Sequence, residues 1–131
     1  MWSVARGTLN RGTEDTELVL NTGQSNVMAY FNLTNTDSFV IEFDCILDYS
    51  QRNGIQLRNA NWTVVGQLNT TNLSKDTYHH IKCSVSNGTV SWTVDDDNPI
   101  INSITNVSIF DFYKTPSDNY FKYRNFKYYP I

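Results

Sequence analysis

The chain has 131 residues, 14% of them aromatic and 18% charged, with a formal net charge of −3. That length suits one domain with a real core, and the aromatic content argues against disorder. No basic block supports nucleic-acid binding, and no apolar run approaches the roughly 20 residues of a membrane helix, so neither nucleic acid nor membrane insertion is expected.

The N-terminal stretch MWSVARGTLNRG lacks the apolar segment of a secretory signal. The expectation is a single domain over 1–131, excised from a larger protein, without internal repeat or linker. No segment has a helical period. Apolar and polar residues alternate instead, with turn signals about every ten residues, which predicts an all-β sandwich or jelly roll. Asn-x-Ser/Thr occurs at Asn32, Asn61, Asn69, Asn72, Asn87 and Asn106. A chain this rich in Asn and Thr produces several such matches by chance, so they say little about glycosylation.

In chain order, the first clear strand is SFVIEFDCILDYS. Phe39, Ile41, Phe43, Cys45 and Leu47 share one face, and strict period two assigns it to the core. SQRN reads as a turn and GIQLRNANW as the next strand. A hairpin centred near Gln51 sets Asp44 opposite Arg58, a cross-strand ion pair on the polar face.

The next hairpin, YHHIKCSVSNGTVSWTVDDD, turns at Asn87-Gly88, both of which tolerate a positive φ. A two-residue loop fixes the register. Val85 meets Val90, Cys83 meets Trp92 and Ile81 meets Val94, all in the core, so Trp92 is a core residue rather than a ligand platform. Ser84–Ser91, Lys82–Thr93 and His80–Asp95 lie on the other face, the last as a surface pair. His79 and His80 point to opposite faces and cannot easily share one metal ion. Cys45 and Cys83 both face the core; a disulfide and two buried thiols are both open. They do not form a zinc site, which needs four closely spaced ligands. Asp95-Asp96-Asp97-Asn98-Pro99 reads as a turn. It does not follow the alternating ligands of an EF-hand loop; an edge calcium is the alternative, and otherwise no cofactor is expected. The tail YFKYRNFKYYPI alternates with a one-residue offset, which predicts a bulge near Arg124-Asn125 in a closing strand.

Taken together, Trp2 and Gly7, ELVLNTG, FVIEFDCIL, GIQLRNANWTVVGQL, TYHHIKCSVSNGTVSWTVDDD and YRNFKYY give the chain a likeness to a known fold family. It resembles the concanavalin A-like lectin/glucanase jelly roll, particularly its laminin-G-like modules. Tyr78-His79-His80-Ile81, Asn87-Gly88, Val94-Asp95-Asp96 and Asn125-Phe126-Lys127-Tyr128 stand where such modules carry Trp-His-x-Val, Asn-Gly, Val-Asp-Gly and Asn-Phe-x-x-Tyr. Tyr78 and Asp96 are departures, and Asp still accepts a left-handed turn. The resemblance implies two stacked antiparallel sheets, one concave, with sugar bound on the concave face or its rim loops. Modules of this kind also occur on phage tails, baseplates and adhesins.

Glucanases of this fold carry three acids on one strand, two of them nucleophile and general acid. Here Glu42 and Asp44 are followed by Ile46 and Leu47, and Asp48 comes one position late. With Arg58 expected to hold down the Asp44 pKa, no catalytic residue is assigned and no enzyme is expected. Sugar binding needs aromatic platforms and planar polar groups. The candidates are Glu42, Asp44, Gln56, Arg58, Asn59, Trp62 and Lys82, with Tyr113 and Tyr120 as further aromatics. The sequence thus predicts a non-catalytic carbohydrate-binding module for a cell-surface glycan or polysaccharide, on a virion surface or outside the cell. The alternatives are an assembly sandwich within a homo-oligomer or parent protein, and a glycoside hydrolase with a degenerate acid set.

Overall fold

The structure, a computed structural model, describes residues 3–6, 9–11, 18–20, 27–34, 37–47, 54–114 and 121–131. Twelve strands run in order: β1 (Ser3–Arg6), β2 (Leu9–Arg11), β3 (Leu18–Leu20), β4 (Val27–Asn32), β5 (Ser38–Leu47), β6 (Ile55–Arg58), β7 (Val64–Leu68), β8 (His79–Ser86), β9 (Thr89–Val94), β10 (Ile100–Ser103), β11 (Ile109–Lys114) and β12 (Phe121–Pro130). The described residues contain no helix. Five strands form one sheet, β1-β4-β11-β6-β7, and seven form the other, β10-β9-β8-β5-β12-β3-β2. The result is an antiparallel sandwich, the concanavalin A-like jelly roll.

Period-two alternation builds the core from both sheets. The seven-stranded sheet contributes Phe39, Ile41, Phe43 and Cys45 from β5, with Ile81, Cys83 and Trp92 from β8 and β9. The five-stranded sheet answers with Ala29 and Phe31, Ile55 and Leu57, and Phe110 and Phe112. Aromatic rings join the layers: Phe43 meets Phe112 edge-on with centroids 4.9 Å apart, and Phe112 lies 4.2 Å from Tyr123. Such pairs contribute about 0.5–1.5 kcal/mol beyond the area they bury.

The β8–β9 hairpin has the register expected of its turn, with Ile81 opposite Val94, Cys83 opposite Trp92 and Val85 opposite Val90. Asn87 and Gly88 take φ of 52° and 74°, as a type I′ turn requires. Trp92 is buried in the core. A second turn of the same hand follows: Asp95 and Asp96 have φ of 52° and 61°, and the Asp97 amide donates to Val94 O at 2.9 Å. The acidic run therefore turns β9 into β10. The bulge in the closing strand lies between Arg124 and Lys127, with Asn125 at φ 56°. Cys45 and Cys83 are buried free thiols, and burial pushes both well above the usual thiol range.

One expected pairing is overturned. β5 and β6 do not form a hairpin, because they belong to different sheets. β5 is flanked by β8 and β12, and β6 by β11 and β7. Asp44 and Arg58 therefore lie on opposite outer surfaces of the sandwich and do not pair. The SQRN turn proposed between them, like Asp48, Trp2, Gly7 and Tyr120, lies largely or wholly outside the described residues.

Candidate functional site

The predicted ligand set divides with the sheets. Glu42, Asp44 and Lys82 stand on the outward face of the seven-stranded sheet. Gln56, Arg58, Asn59 and Trp62 belong to the five-stranded sheet and the loop after β6.

On the seven-stranded face, β5, β8 and β12 put Glu42 level with both Lys82 and Lys127, and Asp44 level with His80 and Arg124. His80 Nδ1 lies 2.8 Å from Asp44 Oδ1, and Asn125 Nδ2 donates to Asp44 Oδ2 at 3.0 Å. Burial pushes the Asp44 carboxyl up, but the hydrogen bonds from His80 and Asn125 and the nearby Arg124 outweigh it and hold the group below the usual carboxylate value. The depressed pKa anticipated for Asp44 therefore comes from His80, Asn125 and Arg124 rather than from Arg58. Glu42 accepts from the Tyr129 hydroxyl at 3.2 Å.

His80 and Asp95 are opposite in the backbone, and the Asp95 amide donates to His80 O at 2.8 Å. The side chains, however, are not partners as expected. Asp95 Oδ1 accepts the His80 amide at 2.8 Å, and Oδ2 lies 2.6 Å from His79 Nδ1. The other His79 nitrogen, Nε2, is 2.7 Å from Ser74 O. Ser74 Oγ lies 3.2 Å from the same nitrogen. A carboxylate and a carbonyl can only accept, so this pair of partners stabilises the protonated His79 ring, in which both nitrogens donate. Burial lowers its pKa, but Asp95 and the Ser74 carbonyl raise it further, for a net increase. The Asp95 carboxylate thus ties the end of the hairpin together. Among the described residues no group of three or more His, Cys, Asp or Glu is placed to hold a metal ion.

The five-stranded face is built differently. Register sets Tyr30, Asp111, Gln56 and Gln67 in one row across β4, β11, β6 and β7. Asn32, Ile109, Arg58 and Val64 form the next. Phe110 and Phe112 point into the core, so Asp111 between them points outward, yet it is fully buried. The cover comes from β6 and its loop. Arg58 Nε donates to Asp111 Oδ2 at 2.6 Å, Nη2 to Gln56 Oε1 at 2.8 Å, and Nη1 to Trp62 O at 2.8 Å. Trp62 reaches across β11 to Tyr30, meeting it edge-on with centroids 4.7 Å apart. Trp62 as a residue remains 40% exposed.

Trp62 adopts φ of 66°, a left-handed conformation that costs a bulky residue about 1–3 kcal/mol and persists only where its surroundings hold it. Here they do. Asn59 Oδ1 accepts the amides of Asn61 and Thr63, Asn59 O accepts the Trp62 amide at 3.0 Å, and Arg58 holds the Trp62 carbonyl. Asn59 and Asn61 also line a shallow cavity with Asn106 and Ser108. Asp111 Oδ1 is buried and has no hydrogen-bond partner among the described residues. Burial pushes the Asp111 carboxyl up to about 6, with Arg58 pulling the other way.

Sequence reasoning named Arg58, Gln56, Asn59 and Trp62 but missed Tyr30 and Asp111, which complete the cluster. The signal for Asp111 was the IFDFYK alternation, which marks it as outward-facing but not as covered. Tyr113 lies on the same outward row set, level with Met28.

No family model matches the chain, and no curated protein matches it in sequence. Solved structures share its fold at low identity. A sialidase superposes with a TM-score of 0.76 at 10% identity over 99% of this chain, which spans only 17% of that protein. A putative glycosyl hydrolase from Parabacteroides distasonis superposes with a TM-score of 0.71 at 8% identity, covering all of both chains. The carbohydrate binding module CBM66 from Bacillus subtilis gives 0.65 at 12% identity, over 97% of this chain and 94% of that one. Hydrolase and binding-module names thus occur on one architecture, and the fold alone does not choose between them.

Proposed function

We propose that the chain is a non-catalytic carbohydrate-binding module whose ligand rests on the outward face of the five-stranded sheet, against Trp62. The observation that carries this reading is the partly exposed Trp62, held in a strained backbone conformation by Arg58 and Asn59. A large aromatic surface fixed in advance loses little entropy when a sugar ring stacks on it. Gln56, Asn59 and Tyr113 bring planar polar groups to the same side, and the likeness to a carbohydrate binding module supports the assignment. Glu42, Asp44 and Lys82 stand on the opposite surface, and we leave them out of this site.

We read the missing third acid after Glu42 and Asp44 as absence of glycosidase machinery, and we assign no cofactor. The finer context we propose is recognition of a cell-surface glycan by a phage tail, baseplate or adhesin, on a virion surface or outside a cell. The Asn- and Thr-rich composition supports that setting.

A glycan array tests the reading, followed by titration of each hit against Trp62→Ala and Arg58→Ala. Binding that weakens in both variants is expected; failure to bind any glycan contradicts it. A second reading, an assembly module within a homo-oligomer or parent protein, is favoured by one observation. β10 is an edge strand, and its Ile100 and Ile101 are 54% and 61% exposed. A stable oligomer in solution that covers β10 would support it.

A further inference from the structure

The two outer surfaces of the sandwich differ sharply in charge. The seven-stranded face carries Glu42, Asp44, His80, Lys82, Lys122, Arg124 and Lys127, all outward by register. On the five-stranded face, Arg58 and Asp111 are the charged groups among the described side chains, and they neutralise each other at 2.6 Å. On β4, β11, β6 and β7 the other outward positions are Met28, Tyr30, Asn32, Gln56, Val64, Gln67, Ile109 and Tyr113. The edge strand β1 sets Ser3 level with Tyr30 and Arg6 level with Met28, so the one further charge that register places on this face stands at the sheet edge opposite β6 and β7. The adjoining stretches 59–63 and 104–108 carry no charge at all.

Arg58 is also poorly placed to receive an anion. All three of its nitrogens already donate, to Asp111, to Gln56 and to the Trp62 carbonyl. Its side chain is 15% exposed, and its charge is compensated from below by a carboxylate with no exposure. An anionic sugar brought over this pair would meet the Asp111 charge as well as the Arg58 charge, in a setting where both act strongly. A hydroxyl suffers no such penalty, because two guanidinium N–H groups remain to donate to it.

We infer that the Trp62 face selects a neutral glycan, built of uncharged hexoses or pentoses, and discriminates against uronate, sialate and sulfated sugars. This rests on the carbohydrate-binding reading above and adds the ligand's charge class. Recognition is by stacking on the indole and by amide and guanidinium donors to hydroxyls, with no ion pair to the ligand.

The test is a titration of the intact chain, by calorimetry and tryptophan fluorescence, with two sets of probes. The neutral set is glucan, mannan, galactan and fructan oligosaccharides; the anionic set is alginate and polygalacturonate oligomers, sialyllactose and sulfated galactan. Each is measured at about 0.05 M and 0.5 M NaCl, conditions between which exposed charge contacts are largely screened. The expected result is binding of at least one neutral probe, with affinity changing less than about twofold between the two salts. Tighter binding of an anionic probe that weakens severalfold in high salt and is lost in Trp62→Ala overturns the inference and leaves the carbohydrate reading standing. Binding of an anionic probe that persists in Trp62→Ala places that ligand elsewhere; without neutral binding at Trp62, this outcome also overturns the inference. No binding of either set overturns both.

Discussion

Arg58 Nε lies 2.6 Å from Asp111 Oδ2, under cover of Trp62, while Asp111 Oδ1 finds no partner among the described residues. A buried charge pair of this kind is costly to form and costlier to break from one side. Arg58→Ala strands the Asp111 charge and also frees the Trp62 carbonyl. It is expected to lower stability by about 3 kcal/mol or more in urea unfolding. The paired replacement of Arg58 and Asp111 by Met and Leu should recover much of that loss. Equal destabilisation by the single and double changes would show that the ion pair is not the cause.

Asp111 also makes a signed prediction for pH. Burial raises its carboxyl from 3.8 to about 6 in the folded chain. Its contribution to stability is therefore fully present below the unfolded value and is lost as pH rises through about 6. Asp111→Asn does not titrate. Its melting temperature relative to the unaltered chain should therefore improve between about pH 4 and pH 7. A constant difference across that range would contradict the assignment.

His79 gives a test of the same sign on the other sheet, coupled to an Asp95 contribution of opposite sign. Its pKa is raised on balance, chiefly by Asp95 acting against burial, so its stabilisation is present below about 6.5 and lost as pH rises through the elevated folded value. Asp95 is lowered on balance, because His79 and the His80 amide outweigh burial. Its share is present above about 3.8 and lost as pH falls through the lower folded value. His79→Gln is expected to cost about 1–3 kcal/mol near neutrality and to flatten the alkaline side of the stability profile. Amide exchange of the 69–78 and 94–97 segments reads the same event locally.

Trp62→Ala separates binding from folding. Loss of the edge contact with Tyr30 should cost about 1 kcal/mol of stability, whereas loss of the stacking surface should weaken glycan affinity roughly tenfold. Parallel melting and titration curves measure both. Affinity unchanged within error would remove Trp62 from the site.

How far the sequence reveals this molecule depends on the range of the interaction. The β8–β9 register is legible because a two-residue Asn-Gly loop leaves one way to pair the strands. The core face of β5 and the bulge at Arg124-Asn125 follow from alternation within one segment. The partner of β5 does not. Alternation says which side chains are buried but not which strand lies alongside, and consecutive strands are only the commonest neighbours. That gap produced the mistaken Asp44–Arg58 pair. It also joined residues of two opposite surfaces into one predicted site. Asp111 was hidden for a related reason: its burial comes from a loop folding back over an outward-facing position. The Asp95 link to His79 rather than His80 depends on the left-handed turn at Asp95, which rotates the carboxylate away from its register partner.

Ligand held at Trp62 on the five-stranded face, rather than at Glu42 and Asp44 on the seven-stranded one, makes binding depend on one sheet and not the other. The direct measurement is the affinity of the best-bound glycan for three proteins: the unaltered chain, Trp62→Ala and Asp44→Asn. A roughly tenfold loss is expected in Trp62→Ala and a change under about twofold in Asp44→Asn. Full affinity in Trp62→Ala together with loss in Asp44→Asn would place the site on the other sheet and contradict binding at Trp62.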